Sequence, residues 1–239
     1  MAPRQQIPQL LDSKSECPPL FDGTTRLYYF PASPASQCVQ IALNYKGLDE
    51  IECVPINIFD KPTWYKEKVY QVGKVPALEH NGKVKGESLD LLVYLDQEFG
   101  GPTITPTEEE KKEATAELLK YRDSFFAAWT KALGFNNGAP ATVIDVVPML
   151  DHLENVLKKY ANEGPFFFGK SVSMVDMIYI PFLERAEISF PSNYDSRVGR
   201  PHLAKWIEAM NTIDAYTSTK LENTGSMDHW WAIMRLAKK

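Results

Sequence analysis

The chain has 239 residues, 44% of them hydrophobic and 24% charged, with a net charge of −5. That length suits one large domain or two small ones around a packed core, and the acidic balance argues against nucleic acid or an anionic membrane surface as the main partner. No uncharged apolar run approaches the roughly 18 residues of a membrane span, and Met1 to Cys17 lacks the apolar stretch of a signal peptide.

Residues 1–23 read as a loose polar extension. Arg26 to Phe30 is then a short aromatic strand, stopped by Pro31. A helix follows, with Ser33 at the N-cap and Pro34 at the first helical position, where a missing N–H costs nothing. Ala35, Val39, Ala42 and Leu43 share one face, and Gly47 ends the helix. Glu52 to Ile56 is a second strand, which completes a βαβ unit. Asp60 to Val69 reads as an irregular or short helical link. Lys74 to Leu78 is extended, Asn81-Gly82 is a strong hairpin signal, and Lys83 to Gly86 pairs back across it. Ser88 opens a further helix that stops before Gly100-Gly101. The first hundred residues therefore read β-α-β followed by β-β-α.

Residues 101–107 form a Gly/Pro/Thr-rich linker between a first domain at 24–100 and a second at 108–222, with 223–239 as a tail. The second domain shows helical periods only. Ala114, Leu118, Tyr121, Phe125 and Trp129 mark one helix, and Val146, Leu150, Leu153, Leu157 and Tyr160 another, which starts or bends at Pro148. Ser173-Met-Val-Asp176 is a capping box with a Val172–Met177 staple, and it opens an apolar helix that holds Pro181. Arg200-Pro201 opens the last, with Leu203, Trp206, Ile207 and Met210 inward.

Three features carry chemistry. Ser33 sits at the positive end of a helix, where amides and a hydroxyl favour an anion such as a thiolate. A cis bond at Pro76 leaves the backbone of Val75 open to an extended peptide. Glu87 and Ser88 lie at another helix N-terminus, suited to a carboxylate. Taken singly, each is an ordinary helix cap or an ordinary X–Pro bond; their order along one β-α-β-β-α unit makes the case. Asp176 is explained by its cap. The four histidines share no metal-ligand spacing, and no metal is expected. Cys17, Cys38 and Cys53 match no metal or redox motif. Their odd number points to a reducing compartment, and a cytoplasmic location is expected.

These residues resemble the glutathione transferases, and most closely the plant lambda class. The similarity runs from about Pro19 to Lys220 and rests on stretches such as Trp64-Tyr-Lys-Glu-Lys-Val-Tyr70, Lys74-Val-Pro-Ala-Leu-Glu-His-Asn-Gly-Lys83 and Gly164-Pro-Phe-Phe-Phe-Gly169. The resemblance implies an α/β thioredoxin-like N-terminal domain plus an all-α C-terminal domain. It also implies a glutathione site: Lys74 at the glycyl end, Val75 before a cis Pro76 at the cysteinyl backbone, and Glu87 and Ser88 at the γ-glutamyl end. Lambda-class proteins carry a cysteine in a C-P-F/Y-A motif; here it reads Ser33-Pro-Ala-Ser36. A serine forms no mixed disulfide but donates a hydrogen bond to a bound thiolate. Three functions stand side by side: conjugation of glutathione to a small-molecule electrophile, disabled or relocated thioltransferase chemistry, and non-catalytic binding of a glutathione adduct or flavonoid-like ligand. Tyr29, Phe125 and Trp129 are candidates for a hydrophobic co-substrate pocket, with helical core as the alternative for the aromatics. The resemblance implies a monomer rather than a dimer.

Overall fold

The computed structural model describes residues 9–132, 146–160, 163–189 and 195–220. The chain divides into two compact units, one running through Pro102 and resuming at Ser218, the other Thr103–Thr217.

The first unit contains β1 (Arg26–Tyr29), α1 (Pro34–Lys46), β2 (Glu52–Pro55), β3 (Ala77–His80), β4 (Lys83–Gly86) and α2 (Ser88–Glu98), with a π-helical turn at Tyr65–Val69. The sheet order is β2-β1-β3-β4. β1 and β2 are parallel, with α1 as the crossover between them, and β3 and β4 run antiparallel to their neighbours. Together with the helical second unit this is the thioredoxin-like plus all-α architecture expected from the sequence. The β3–β4 turn places both Asn81 and Gly82 at positive φ, 49° and 70°, as the hairpin signal requires. Gly47 ends α1 in the left-handed region at φ 70°, its amide donating to the carbonyls of Leu43 and Asn44. The core cluster joins Tyr28, Val54, Ile56, Trp64, Tyr65, Val69 and Ala77.

The segment before β1 is docked where the sequence suggested a loose extension. Leu11 bridges to Ile56 beyond the end of β2, its amide donating to the Pro55 carbonyl and its own carbonyl accepting from Asn57, both at 2.8 Å. Leu11 and Leu20 pack on the core cluster, and the Trp64 indole donates to the Ser15 carbonyl at 3.0 Å. Arg26, 4% exposed, clamps the start of β1: it meets Asp22 and Glu52 at 2.8 Å and Glu79 at 3.4 Å. Glu79 also accepts from the Phe21 amide and the Tyr28 hydroxyl. The apolar period in 9–23 is too short to register as an element, yet two leucines suffice to dock it. At the other end of the chain, the Gln37 side chain donates to the carbonyl and hydroxyl of Thr219, which ties that return segment to α1.

The second unit contains α3 (Glu109–Ala132), α4 (Val147–Lys159), α5 (Met174–Ser189), α6 (Pro201–Met210) and α7 (Asp214–Thr217). Pro148 starts α4 rather than bending it, and Leu150, Leu153 and Leu157 are buried along one face. In α6, Leu203, Trp206, Ile207 and Met210 turn inward. Asp176, fully buried, accepts from the Ser173 amide and hydroxyl, from the Phe167 amide and from the Trp206 indole, at 2.7–3.0 Å. Burial raises its carboxyl above the ordinary range against these bonds, which pull the other way. The capping box is thus the centre of a buried network that joins α5, α6 and the loop at Phe167.

Candidate functional site

β1 ends in the turn that delivers Ser33. The Ser33 amide donates to the Phe30 carbonyl at 2.9 Å, and Ser33 takes the N-cap of α1 with φ −79° and ψ 120°. Its hydroxyl oxygen accepts from the Ser36 amide at 3.3 Å. Pro34 occupies the first turn, where it has no N–H to satisfy, and this end of the helix carries the positive end of its dipole. Cys38 is buried, and its thiol donates to the Ala35 carbonyl at 3.1 Å. That bond reaches back to the first turn, and the thiol is closed off from solvent.

The Val75–Pro76 peptide bond is cis. Among the described residues Val75 stands just outside the sheet ladder, whose register begins with Ala77 opposite Tyr28 on one side and Gly86 on the other. Just before it, the Tyr65 hydroxyl donates to the Lys74 carbonyl at 2.6 Å, which fixes the approach to the proline. The Lys74 side chain is exposed and lies 3.5 Å from Glu87.

β4 ends at Gly86, and the N-cap position of α2 belongs to Glu87 rather than Ser88. Glu87 sits at φ 62°, a backbone region that a residue with a Cβ seldom adopts, and its side chain makes no cap hydrogen bond. Ser88 follows as the first helical residue and is 7% exposed.

The register brings these pieces to one end of the sheet. Tyr28, Ala77 and Gly86 stand side by side on β1, β3 and β4. Because β3 is antiparallel to both neighbours, the end of β1, the start of β3 and the end of β4 share that edge. Ser33, Val75 with Pro76, and Glu87 with Ser88 therefore lie in a row. Strands are about 4.8 Å apart, so the row spans roughly 10 Å, the length of an extended three-residue peptide.

The candidate pocket aromatics are not gathered there. Phe125 is 1% exposed and packs edge-on against Tyr179 and Phe182 in the core of the helical unit. Tyr29 is buried beside Gln40 and Cys53, and burial pushes its hydroxyl up to about 12. Trp129 belongs to α3, and its side chain lies outside the described part of the structure. Sequence reasoning passed over three neighbours of the site: Tyr65, Tyr70, whose hydroxyl lies against Gly86, and Phe59. Tyr65 and Tyr70 lie in the Trp64–Tyr70 stretch that carries the family resemblance, but nothing local marks them as site neighbours, and Phe59 follows the turn former Asn57 in a stretch with no period.

Comparison with known proteins adds the following. Residues 27–103 match the family model of the glutathione S-transferase N-terminal domain, and 112–209 that of its C-terminal domain. Glutathione S-transferase L1 of Arabidopsis thaliana is 48% identical over 222 residues, covering 92% of this chain and 90% of that protein. Protein IN2-1 of Zea mays is 44% identical over 221 residues, covering 91% and 88%. Among solved structures, the Tau class glutathione S-transferase of mango, Mangifera indica, superposes with a TM-score of 0.73 at 22% identity, over 90% of this chain and 98% of that one.

Proposed function

This chain belongs to the glutathione S-transferase family, with its relatives in the lambda class, and from that membership we propose that it conjugates glutathione to a hydrophobic electrophile with Ser33 as the thiolate stabiliser. The observation that carries the reading is the row at the sheet's end, where a helix-capping serine, an open backbone and a second helix N-terminus are spaced for a tripeptide. In this reading glutathione lies along the row. Its γ-glutamyl carboxylate meets the start of α2 at Glu87 and Ser88, its cysteinyl backbone pairs with Val75 beside Pro76, and its glycyl end reaches Lys74. The sulfur then stands at Ser33.

The chemistry follows from that position. The amides at the start of α1 and the Ser33 hydroxyl stabilise a thiolate over a thiol, which lowers the pKa of the bound sulfur. The thiol proton leaves to solvent. The thiolate attacks the electrophilic carbon, a C–S bond forms, and the leaving group departs with its electron pair. A hydroxyl held at a helix cap stays protonated and serves as donor, not nucleophile. A thioltransferase needs a thiol in that place to carry the mixed disulfide, and Cys38 is buried with its sulfur bonded inside the helix. Two measurements test the reading together. A structure with glutathione bound is expected to place the sulfur within hydrogen-bond reach of the Ser33 hydroxyl. Assayed side by side, an aryl halide is expected to be conjugated and a glutathione mixed disulfide left largely unreduced; the opposite result would sink the conjugating role.

A further inference from the structure

The co-substrate surface of this site is unassigned, since Tyr29 and Phe125 are buried. Among the described residues, the end of the sheet offers one exposed aromatic. β2 is parallel to β1, with Tyr29 opposite Pro55 and the Ile56 amide donating to the Tyr29 carbonyl at 2.7 Å. The chain leaving β2 therefore emerges at the same edge as Ser33. That chain carries Phe59, 43% exposed, whose ring meets the buried ring of Phe30 edge-on at 5.8 Å. Phe30 is the residue whose carbonyl holds the Ser33 amide.

Order along the edge decides what Phe59 faces. The sheet runs β2-β1-β3-β4, so the row reads Phe59, Ser33, Val75, Ser88. In the glutathione reading above, the γ-glutamyl end lies at Ser88, the cysteinyl backbone at Val75 and the sulfur at Ser33. Phe59 stands on the opposite flank of the sulfur, where a group bonded to that sulfur would extend. Its backbone is fixed: the Asn57 side chain accepts from the amides of Phe59 and Asp60 at 3.1 and 3.3 Å, and the Asn57 amide donates to the Leu11 carbonyl at 2.8 Å. A ring held in place without being buried loses little freedom when it meets a ligand. The other exposed phenylalanine of this unit, Phe21, is 45% exposed but is pinned to Glu79, at the opposite end of the sheet.

We propose that Phe59 is a specificity-determining contact that selects flat aromatic co-substrates by presenting its ring beside the glutathione sulfur. The proposal rests on the glutathione reading above, and its test separates the two. Binding of glutathione and of S-(dinitrophenyl)glutathione is measured by calorimetry on the full chain and on Phe59→Ala, Phe59→Leu and Phe59→Tyr. In the parent the aryl conjugate is expected to bind more tightly than glutathione. Phe59→Ala and Phe59→Leu are expected to weaken the conjugate by about 3- to 10-fold, the range of one aromatic contact, with glutathione affinity unchanged; Phe59→Tyr is expected to keep the gain. If the parent binds neither ligand, the glutathione reading fails. If glutathione binds but the conjugate-to-glutathione ratio is the same in Phe59→Ala as in the parent, or shows no gain in the parent, the assignment of Phe59 is overturned.

Discussion

The amide of Ser36 donates to the hydroxyl oxygen of Ser33 at 3.3 Å. That bond uses a lone pair of the oxygen and leaves its proton to be given to a thiolate. Ser33→Ala removes both. Losing the cap is expected to cost about 1 kcal/mol of stability. Losing a charge-assisted donor worth about 1.5–3 kcal/mol is expected to slow conjugation roughly 10- to 100-fold. Ser33→Cys places a thiol at the helix N-terminus, where its pKa falls, and is expected to gain mixed-disulfide reduction. Steady-state rates on an aryl halide and on a glutathione mixed disulfide check both. Unchanged conjugation in Ser33→Ala would reduce Ser33 to a cap.

Lys74 and Glu87 face each other at 3.5 Å, both well exposed, so their pairing adds little to stability and both remain available to a ligand. Lys74→Ala and Ser88→Ala are expected to raise the KM for glutathione by about 10-fold, one lost charged or helix-end contact, while kcat changes far less. The Lys74 effect is expected to shrink as salt is raised. A fall in kcat with KM intact would place these residues at the chemistry rather than along the peptide.

The first unit was largely legible because its signals are local. Ser33-Pro34 and Gly47 bound α1, and Asn81-Gly82 sets the β3–β4 turn. Asp176 was legible as a cap, but its bond to Trp206, thirty residues on, was not. The site row depends on register, and a register pairs residues such as Tyr28, Ala77 and Gly86 across about 60 positions. The pocket aromatics show the limit most clearly. A helical period places Phe125 on a buried face but does not say whether that face lines a pocket or a core, and Tyr179 and Phe182 fill the space around it. Phe59 was hidden for the converse reason: it lies in a loop with no period.

Asp176 accepts four hydrogen bonds while fully buried. Asp176→Ala leaves those donors without an acceptor in a site closed to water, and is expected to destabilise by more than about 3 kcal/mol. Asp176→Asn keeps the volume but turns an amide N–H₂ toward donors, so it is expected to fall between. Urea unfolding reads both. Glutathione binding by whatever fraction stays folded is expected to match the parent, which separates the network from catalysis.

Glu154 of α4 stands at the start of α6, accepting from the Leu203 amide at 2.8 Å and the His202 amide at 3.3 Å, with the His202 ring at 2.7 Å. Burial alone would raise its carboxyl; the His202 side chain and the two amides outweigh burial and hold it below its ordinary 4.5. A carboxylate with a depressed folded pKa contributes stability above the unfolded value and loses it as pH falls through the folded one. The stability gap between the parent and Glu154→Gln is therefore expected to be full near neutral pH and to close below 4.5. Urea midpoints across that range test it; a gap that widens in acid would reverse the sign.

Gly86 closes β4 immediately before Glu87, and the Tyr70 hydroxyl and ring lie where its Cβ would be. The atoms in the way belong to a stiff ring, not to the end of a flexible chain, so the clash cannot be relieved by a rotamer change alone. Gly86→Ala must push Tyr70 aside or shift the β4 end, and overpacking of this kind costs about 1–3 kcal/mol. A shift there also moves Glu87 and Ser88, so the KM for glutathione is expected to rise. Tyr70→Ala alone loses packing but leaves the backbone at Gly86 in place. Combining the two removes the ring that the new methyl strikes. The double variant is expected to be more stable than the sum of the singles predicts, with an interaction energy of about 1–3 kcal/mol, and to recover most of the glutathione affinity that Gly86→Ala loses. Strict additivity in both stability and KM would show that Gly86 is required for its own backbone, independently of Tyr70.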